Sequence, residues 1–278
     1  MELVDEGSDM KVLVTGGTGH LGRAVVAGLT ASGHHVRVLA RRPGEDPGIE
    51  WQRGDLATGE GVAAAATGIE AIVHAATHSP GAQRGGLRPV DFIRSPTDVD
   101  IDGTKALLAA AENAAVEHFV HVSIVGLPHM ARLPYSRVKL SAEGLVRTSA
   151  VPWSIVRATG FYWLLDRMLA RMVKRPPVFL PAKVRMQPVD SDEFAALIVE
   201  CLSDGRRGER EDFAGPEQLT LHELAEEYLA ARGLHRRIRN VPLPRRLEDT
   251  LTAGNTSPQG RRGTTTWAEW LRRNPRLP

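Results

Sequence analysis

The segment VTGGTGHLGR at residues 14–23 constrains the fold more than any other stretch of this chain. Gly16, Gly19 and Gly22 recur at three-residue intervals, directly after the apolar run KVLVTG at 11–16 and directly before a stretch that reads as helix. Glycine permits a tight turn and close backbone approach to an anion, and a helix beginning near Gly19 aims its unsatisfied N–H groups at the same point. Strand, glycine turn and helix open a βαβ unit of the kind that cradles a dinucleotide pyrophosphate. Thr18, His20 and Leu21 would add backbone contacts. The blander reading is a turn whose glycines serve only close strand–helix packing, and the order of elements downstream weighs against it.

That order alternates short β-branched runs with longer alanine-rich segments. Strands are expected at 11–16, 35–40, 71–76, 118–123 and 153–158, and helices at about 20–32, 58–67, 98–114 and 135–149. The valine and isoleucine runs are continuous, as in strands covered on both faces, and each helical segment is long enough for a crossover connection. The fold class is therefore α/β, a doubly wound parallel sheet of the Rossmann kind. Residues 77–97 hold Pro80, Gly81, Gly85, Gly86, Pro89 and Pro96, which predicts a long loop above the carboxyl edge of the sheet, a mobile lid over a ligand. From about 176 to 278 the pattern weakens to helices near 191–202 and 221–231, a polar loop at 252–263 and a last amphipathic turn around Trp267, Trp270 and Leu271. This tail is expected to form a small C-terminal substrate lobe on a single domain spanning 10–278.

A chain of 278 residues can bury one substantial core. A formal charge of +2 is too small to argue for nucleic acid or an anionic membrane, although local basic surface is compatible with it. Cys201 is the single cysteine, so no internal disulfide forms and no oxidising compartment is required. Residues 1–9 are acidic and polar where a secretory signal is basic and apolar, and read as a disordered leader. No apolar run reaches membrane-spanning length. A cytoplasmic protein acting on a small molecule is expected, with no nucleic-acid or membrane partner and an open oligomeric state.

Where a protein preferring NAD places an acidic residue after the second strand, this chain has Arg41 and Arg42. A guanidinium matches a phosphate with two parallel hydrogen bonds, so the pair predicts NADP, with NADPH preferred over NADH. Two solvated arginines in a chain with 35 basic residues are the alternative.

Together with GDL at 54–56, HAAT at 74–77, HVSIVG at 121–126, YSRVK at 135–139 and WSIVRATGFY at 153–162, the turn resembles the short-chain dehydrogenase/reductase superfamily, in particular its atypical NmrA-like NAD(P)H-binding branch. The resemblance covers nearly the whole chain. It implies that Asp55, with Leu56 beside it, lies by the adenine, that Ala75, Ala76 and Thr77 line the cofactor, and that the loop from Ala158 to Phe161 faces the nicotinamide.

Tyr135 and Lys139 are four apart, so on a helix they share a face. A phenol of pKa about 10 is a poor acid–base group at neutral pH, and a neighbouring ammonium is expected to lower that value. Tyr135 would supply the proton and Lys139 would tune it and hold the nicotinamide ribose; a surface aromatic–cation contact is the alternative. Ser123, at the end of the 118–123 strand, would polarise the substrate oxygen, or merely cap local backbone. Asp100 stands where many relatives have a relay asparagine, and a carboxylate there changes or abolishes that relay. His74 and His78, and His118 and His121, lack metal-site spacing, so no metal is expected.

The expected activity is an NADP(H)-dependent oxidoreductase for a small carbonyl, imine or quinone-like substrate, with Phe161, Tyr162, Trp163 and Met168 near the pocket or in the core. A non-catalytic NADP(H) redox sensor and an epimerase or dehydratase are the rivals. Retention of Tyr135 and Lys139 argues against the first, and the lack of an extended sugar-nucleotide lobe against the second.

Overall fold

The computed structural model describes residues 9–79, 89–205 and 207–275. The leader at 1–8 and the centre of the expected lid, 80–88, lie outside the described residues.

The central sheet contains β1 (Lys11–Thr15), β2 (His35–Ala40), β3 (Glu50–Arg53), β4 (Ala71–His74), β5 (His118–Ile124), β6 (Trp153–Ala158), β9 (Gly208–Glu209), β10 (Phe213–Ala214) and β13 (Arg261–Arg262). Their order is β3-β2-β1-β4-β5-β6-β10-β13, with β9 also paired to β6, and every pairing is parallel. Apart from this sheet, β7 (Val178–Leu180) pairs with β12 (Ile238–Asn240) and β8 (Arg185–Met186) with β11 (Leu219–Thr220). The order reverses direction at β1, so the carboxyl ends of β1 and β4 diverge around a crevice, the place where open α/β sheets bind ligands.

Alternation along the strands explains the two covered faces. Val12, Val14, Val36 and Val38 point to one side, where α1 (His20–Ala31) and α6 (Ser191–Ser203) bring Val25, Leu29, Phe194 and Ile198. Leu13, Ile72, Phe119 and Ile155 point to the other, against residues from α2 (Val62–Ala66), α3 (Thr104–Asn113) and α4 (Pro134–Arg147). The inner strands β1, β2, β4, β5 and β6 thus lose water on both faces, which is why their sequences read as apolar runs.

In the first 160 residues three elements differ from the sequence reading. β3, EWQR, went unforeseen because it is an edge strand with little buried surface and no β-branched residue. The second helix is confined to Val62–Ala66, since Gly59 and Gly61 take positive φ just before it. The helix expected from 98 begins as a π-helical stretch, Asp98–Gly103, before α3 proper.

Residues beyond 176 do not pack as one lobe. α6, β10 and β13 belong to the main sheet and its first covering layer. A third core instead starts earlier, at α5 (Tyr162–Met172), and joins it to the segment 178–184, to α7 (Leu221–Ala231) and to α9 (Trp267–Arg273), with Leu251 of α8 (Arg245–Asn255), a helix that takes up the start of the expected 252–263 loop, packed against it. Trp267 is its anchor, stacked on Trp270 at 5.5 Å between ring centroids and donating from its indole to the Leu224 carbonyl at 3.0 Å. Aromatic residues at the start of α5 therefore serve largely as core: Tyr162 is buried and its hydroxyl donates to the Thr265 carbonyl at 2.9 Å.

Candidate functional site

The glycine turn is shaped as its spacing predicts. Gly16 has φ +77°, and a Cβ there would sit 2.7 Å from the Ala76 nitrogen. A Cβ on Gly22 would lie 2.0 Å from the Gly16 carbonyl oxygen, so α1 can seat against the turn only with glycine at that position. The Gly19 N–H donates to the Gly16 carbonyl at 2.9 Å, and α1 starts there with no side-chain cap and no acidic residue in its first turn. The N–H groups ahead of α1 are left for an anion, the fit a pyrophosphate requires. Thr18 is exposed at the turn and its carbonyl accepts from Arg23 at 2.7 Å, while Leu21 is buried in the core. His20 stacks on Trp163, with ring centroids 4.3 Å apart, and its pKa is pushed down by burial and by Arg23 and Arg167.

The other cofactor candidates fall around this crevice unequally. Arg41 and Arg42 are exposed just past β2 and make no hydrogen bond or ion pair among the described residues. Asp55 forms a local turn, its carboxylate accepting the Ala57 N–H at 2.9 Å, and buried Leu56 backs Gly103. Ala75 and Ala76 form the wall against Gly16, with the Ala75 N–H bonded to the Thr15 carbonyl. Ala158 is buried in β6, and Phe161 leans on Phe194 at 5.9 Å.

Tyr135 and Lys139 enter from α4, whose start is set by Pro134 at the first helical position, where the missing N–H costs nothing. The Lys139 ammonium donates to the Val122 carbonyl at 3.2 Å and pairs with Asp100 at 3.5 Å; both side chains are nearly inaccessible. The Thr77 hydroxyl lies 3.1 Å from the Tyr135 oxygen and donates to Asp100 Oδ1 at 2.8 Å, while the His78 backbone N–H donates to Oδ2 at 2.8 Å. Because the single Thr77 proton is committed to the carboxylate, Thr77 accepts from the phenol, and the chain of donation runs Tyr135 to Thr77 to Asp100. Burial pushes the Tyr135 pKa up and Asp100 reinforces this; Lys139 opposes them without prevailing. The lowered phenol pKa expected from Lys139 alone is therefore reversed.

A second polar chain holds Asp100 from behind. The Thr104 hydroxyl donates to the Asp100 carbonyl at 2.7 Å, so it can only accept from His74 Nε2 at 3.0 Å, and His74 Nδ1 must accept from Thr15 at 2.7 Å. These bonds require a neutral His74, and burial, with Lys139 nearby, lowers its pKa to about 3. The phosphate turn and the Asp100 segment are thus tied through one buried imidazole. His121 stacks obliquely on His74 at 5.3 Å and is likewise held neutral by burial.

Ser123 is buried and stands apart from this network: its hydroxyl lies on the Glu143 side and favours that carboxylate's ionised form, yet it has no hydrogen-bond partner of good geometry among the described residues. Glu143 was missed by the sequence reading. Tyr135, Lys139, Glu143 and Arg147 follow one another at four-residue intervals along one stripe of α4. The buried Glu143 carboxylate accepts from Arg157 of β6 at 2.8 Å through both oxygens and from Arg147 at 2.7 Å, and both arginines also reach Glu209. Burial alone would raise the Glu143 pKa; Arg157, Ser123 and Arg147 outweigh it and hold the pKa down. The lower half of the stripe therefore clamps the helix whose upper half carries Tyr135 and Lys139.

No group of three or more His, Cys, Asp or Glu among the described residues is placed to hold a metal ion, and no described helix is long and apolar enough to cross a membrane. A cleft of about 510 Å³ opens beside the start of α1, lined by His20, Arg23, Trp163, Asp190 and Trp270; Tyr135 and Lys139 are not part of it.

The chain matches the NAD(P)H-binding family over residues 16–205. It is 30% identical over 177 residues to a photosystem II assembly factor of Trieres chinensis, which covers 62% of this chain and 52% of that protein. It is 31% identical over 223 residues to a (4-alkanoyl-5-oxo-2,5-dihydrofuran-3-yl)methyl phosphate reductase of Streptomyces griseus, covering 76% of this chain and 70% of that one. The chain spans about half the length of the first of these relatives. Among solved structures, an NADPH-dependent quinone oxidoreductase from Escherichia coli superposes with a TM-score of 0.72 at 17% identity, covering 94% of this chain and 98% of that one. Glycine turn, parallel sheet and sequence match agree, and the chain belongs to the NAD(P)H-binding family, on a Rossmann fold shared with the short-chain dehydrogenases/reductases.

Proposed function

We propose that this protein is an NADPH-dependent reductase of a small carbonyl, imine or quinone-like compound, with Tyr135 as proton donor. The observation that carries the reading is the Tyr135–Lys139 pair on α4 beside Asp100 and Thr77, with Thr77 directly after the Ala75–Ala76 wall that packs on Gly16 of the glycine turn. A sensor that only binds a dinucleotide has no need of a phenol hydrogen-bonded through Thr77 to a buried carboxylate. NADPH, when bound, supplies the hydride. Gly16, Gly19, Gly22 and the start of α1 hold the pyrophosphate, Arg41 and Arg42 take the 2′-phosphate, and Asp55, Leu56, Ala75, Ala76, Ala158 and Phe161 line the remaining cofactor surface. Lys139 keeps one N–H for a ribose hydroxyl while two are engaged by Val122 and Asp100. Ser123, whose buried hydroxyl has no hydrogen-bond partner among the described residues, is assigned to polarise the substrate oxygen.

The test is a panel of quinones, enones, aldehydes and imines followed by NADPH absorbance. Turnover of at least one class, faster with NADPH than NADH, is the expected result. No turnover across the panel, with NADPH bound tightly, would favour the sensor.

A further inference from the structure

The Tyr135 and Lys139 pair is balanced by a third charge. Asp100 is 1% exposed and Lys139 3%, so each is the other's principal counter-charge at 3.5 Å in an environment with little water to screen them. An ammonium whose field is cancelled by a carboxylate is a poor stabiliser of a second anion nearby. The Thr77 hydroxyl completes the arrangement: it gives its proton to Asp100 and so offers the phenol only a lone pair. A neutral phenol can use that lone pair, and a phenolate would be repelled by it.

We propose that Asp100, acting through Lys139 and Thr77, commits this site to proton donation: Tyr135 is held as a neutral phenol, an acid for reduction, and is withheld from service as the phenolate base of a dehydrogenase. Asp100 is thus a positioning residue that biases the direction of the proposed reaction. This rests on the reading of Tyr135 as the acid–base group. The step balances as a two-electron reduction. The substrate gains the hydride pair and one proton; the Tyr135 O–H bond breaks as the substrate O–H or N–H bond forms, and the phenolate regains its proton from water.

The remaining ionisable groups around the phenol do not alter the balance. His74 and His121, which face Lys139 from β4 and β5, are both held neutral by burial. His78 and Asp98 pair with each other at 2.9 Å on the segments carrying Thr77 and Asp100. Hydrogen bonds given by Thr77 and by Ser79 would each lower the Tyr135 pKa without overturning its rise, and Thr77 withholds its own while its proton lies on Asp100.

Tyrosinate absorbance in the cofactor-free protein tests this without any turnover. The chain has 3 tyrosines, and Tyr162 and Tyr228 are also shifted upward by burial, so a tyrosinate forming early belongs to Tyr135 and disappears in Tyr135→Phe. The unmodified protein should show no tyrosinate below about pH 10. Asp100→Asn should expose one, with a midpoint lower by about one pH unit or more, lost again on adding Tyr135→Phe. An early tyrosinate in the unmodified protein that Tyr135→Phe removes would overturn the proposal even if Asp100→Asn failed to fold. An unchanged titration in a folded Asp100→Asn protein would overturn it as well. Both results stand apart from the substrate panel, whose failure would instead remove the assigned activity.

Discussion

Glu143→Gln removes the charge that fastens the Tyr135–Lys139 stripe of α4 to the sheet. The carboxylate has a side-chain exposure of 2% and faces two guanidinium groups, Arg157 at 2.8 Å and Arg147 at 2.7 Å. Removing one partner of a buried ion pair costs about 3–5 kcal/mol, because the surviving charge stays out of water. Glutamine keeps the volume and one acceptor, Arg157 retains Glu209, and Arg147 is 38% exposed and partly screened, so the lower end, about 3 kcal/mol, is the appropriate figure. At about 2–4 °C per kcal/mol for a domain of this size, the melting temperature should fall by about 6–12 °C. The pH dependence has a definite sign. The folded pKa of Glu143 is lowered, so its contribution is complete above the unfolded value of about 4.3 and is lost as the pH falls through the folded one. Thermal melts of both proteins followed by circular dichroism should therefore differ most near neutral pH and converge below about pH 4. A melting temperature within about 2 °C of the unmodified protein at neutral pH would show that the clamp contributes no more than a surface pair.

Gly22→Ala places a Cβ 2.0 Å from the Gly16 carbonyl oxygen, so α1 must back away from the turn by roughly 1 Å; calorimetry should show NADPH affinity reduced about tenfold or more, and unchanged affinity would place the cofactor elsewhere. Arg41→Ala should narrow the gap between NADPH and NADH affinity by removing a guanidinium from the 2′-phosphate, while equal affinities in the unmodified protein would refute the preference.

The strands of the sheet were legible because burial on both faces writes a simple signature: β2 and β6 occur with the bounds their valine and isoleucine runs predict. β3 was illegible because an edge strand needs no apolar run, and the π-helical stretch at 98–103 because Asp100 within it is held by Thr77 and Lys139, 23 and 39 positions away, which local propensity does not register. Gly16, Gly22, Tyr135 and Lys139 could be picked out since backbone approach and four-residue spacing are written locally. Thr77 and Glu143 act through residues 23 and 14 positions away, Asp100 and Arg157, so pairing them required the fold. One clue was available: the four-residue spacing continues from Lys139 to Glu143 and Arg147 along the same face. Alternation along β5 also places Ser123 on the side of Phe119 and His121, beneath α4, where Glu143 lies.

The central claim is that Tyr135 donates the proton in an NADPH-dependent reduction, and the most direct measurement is the turnover of Tyr135→Phe beside its NADPH affinity. The substitution deletes one hydroxyl and leaves the glycine turn, Arg41, Arg42 and Lys139 in place. Turnover on the best substrate from the panel should fall by about a hundredfold or more with the dissociation constant for NADPH within about twofold of the unmodified protein. Reduction at the original rate by a protein that still binds NADPH would contradict the claim and assign the proton to another group.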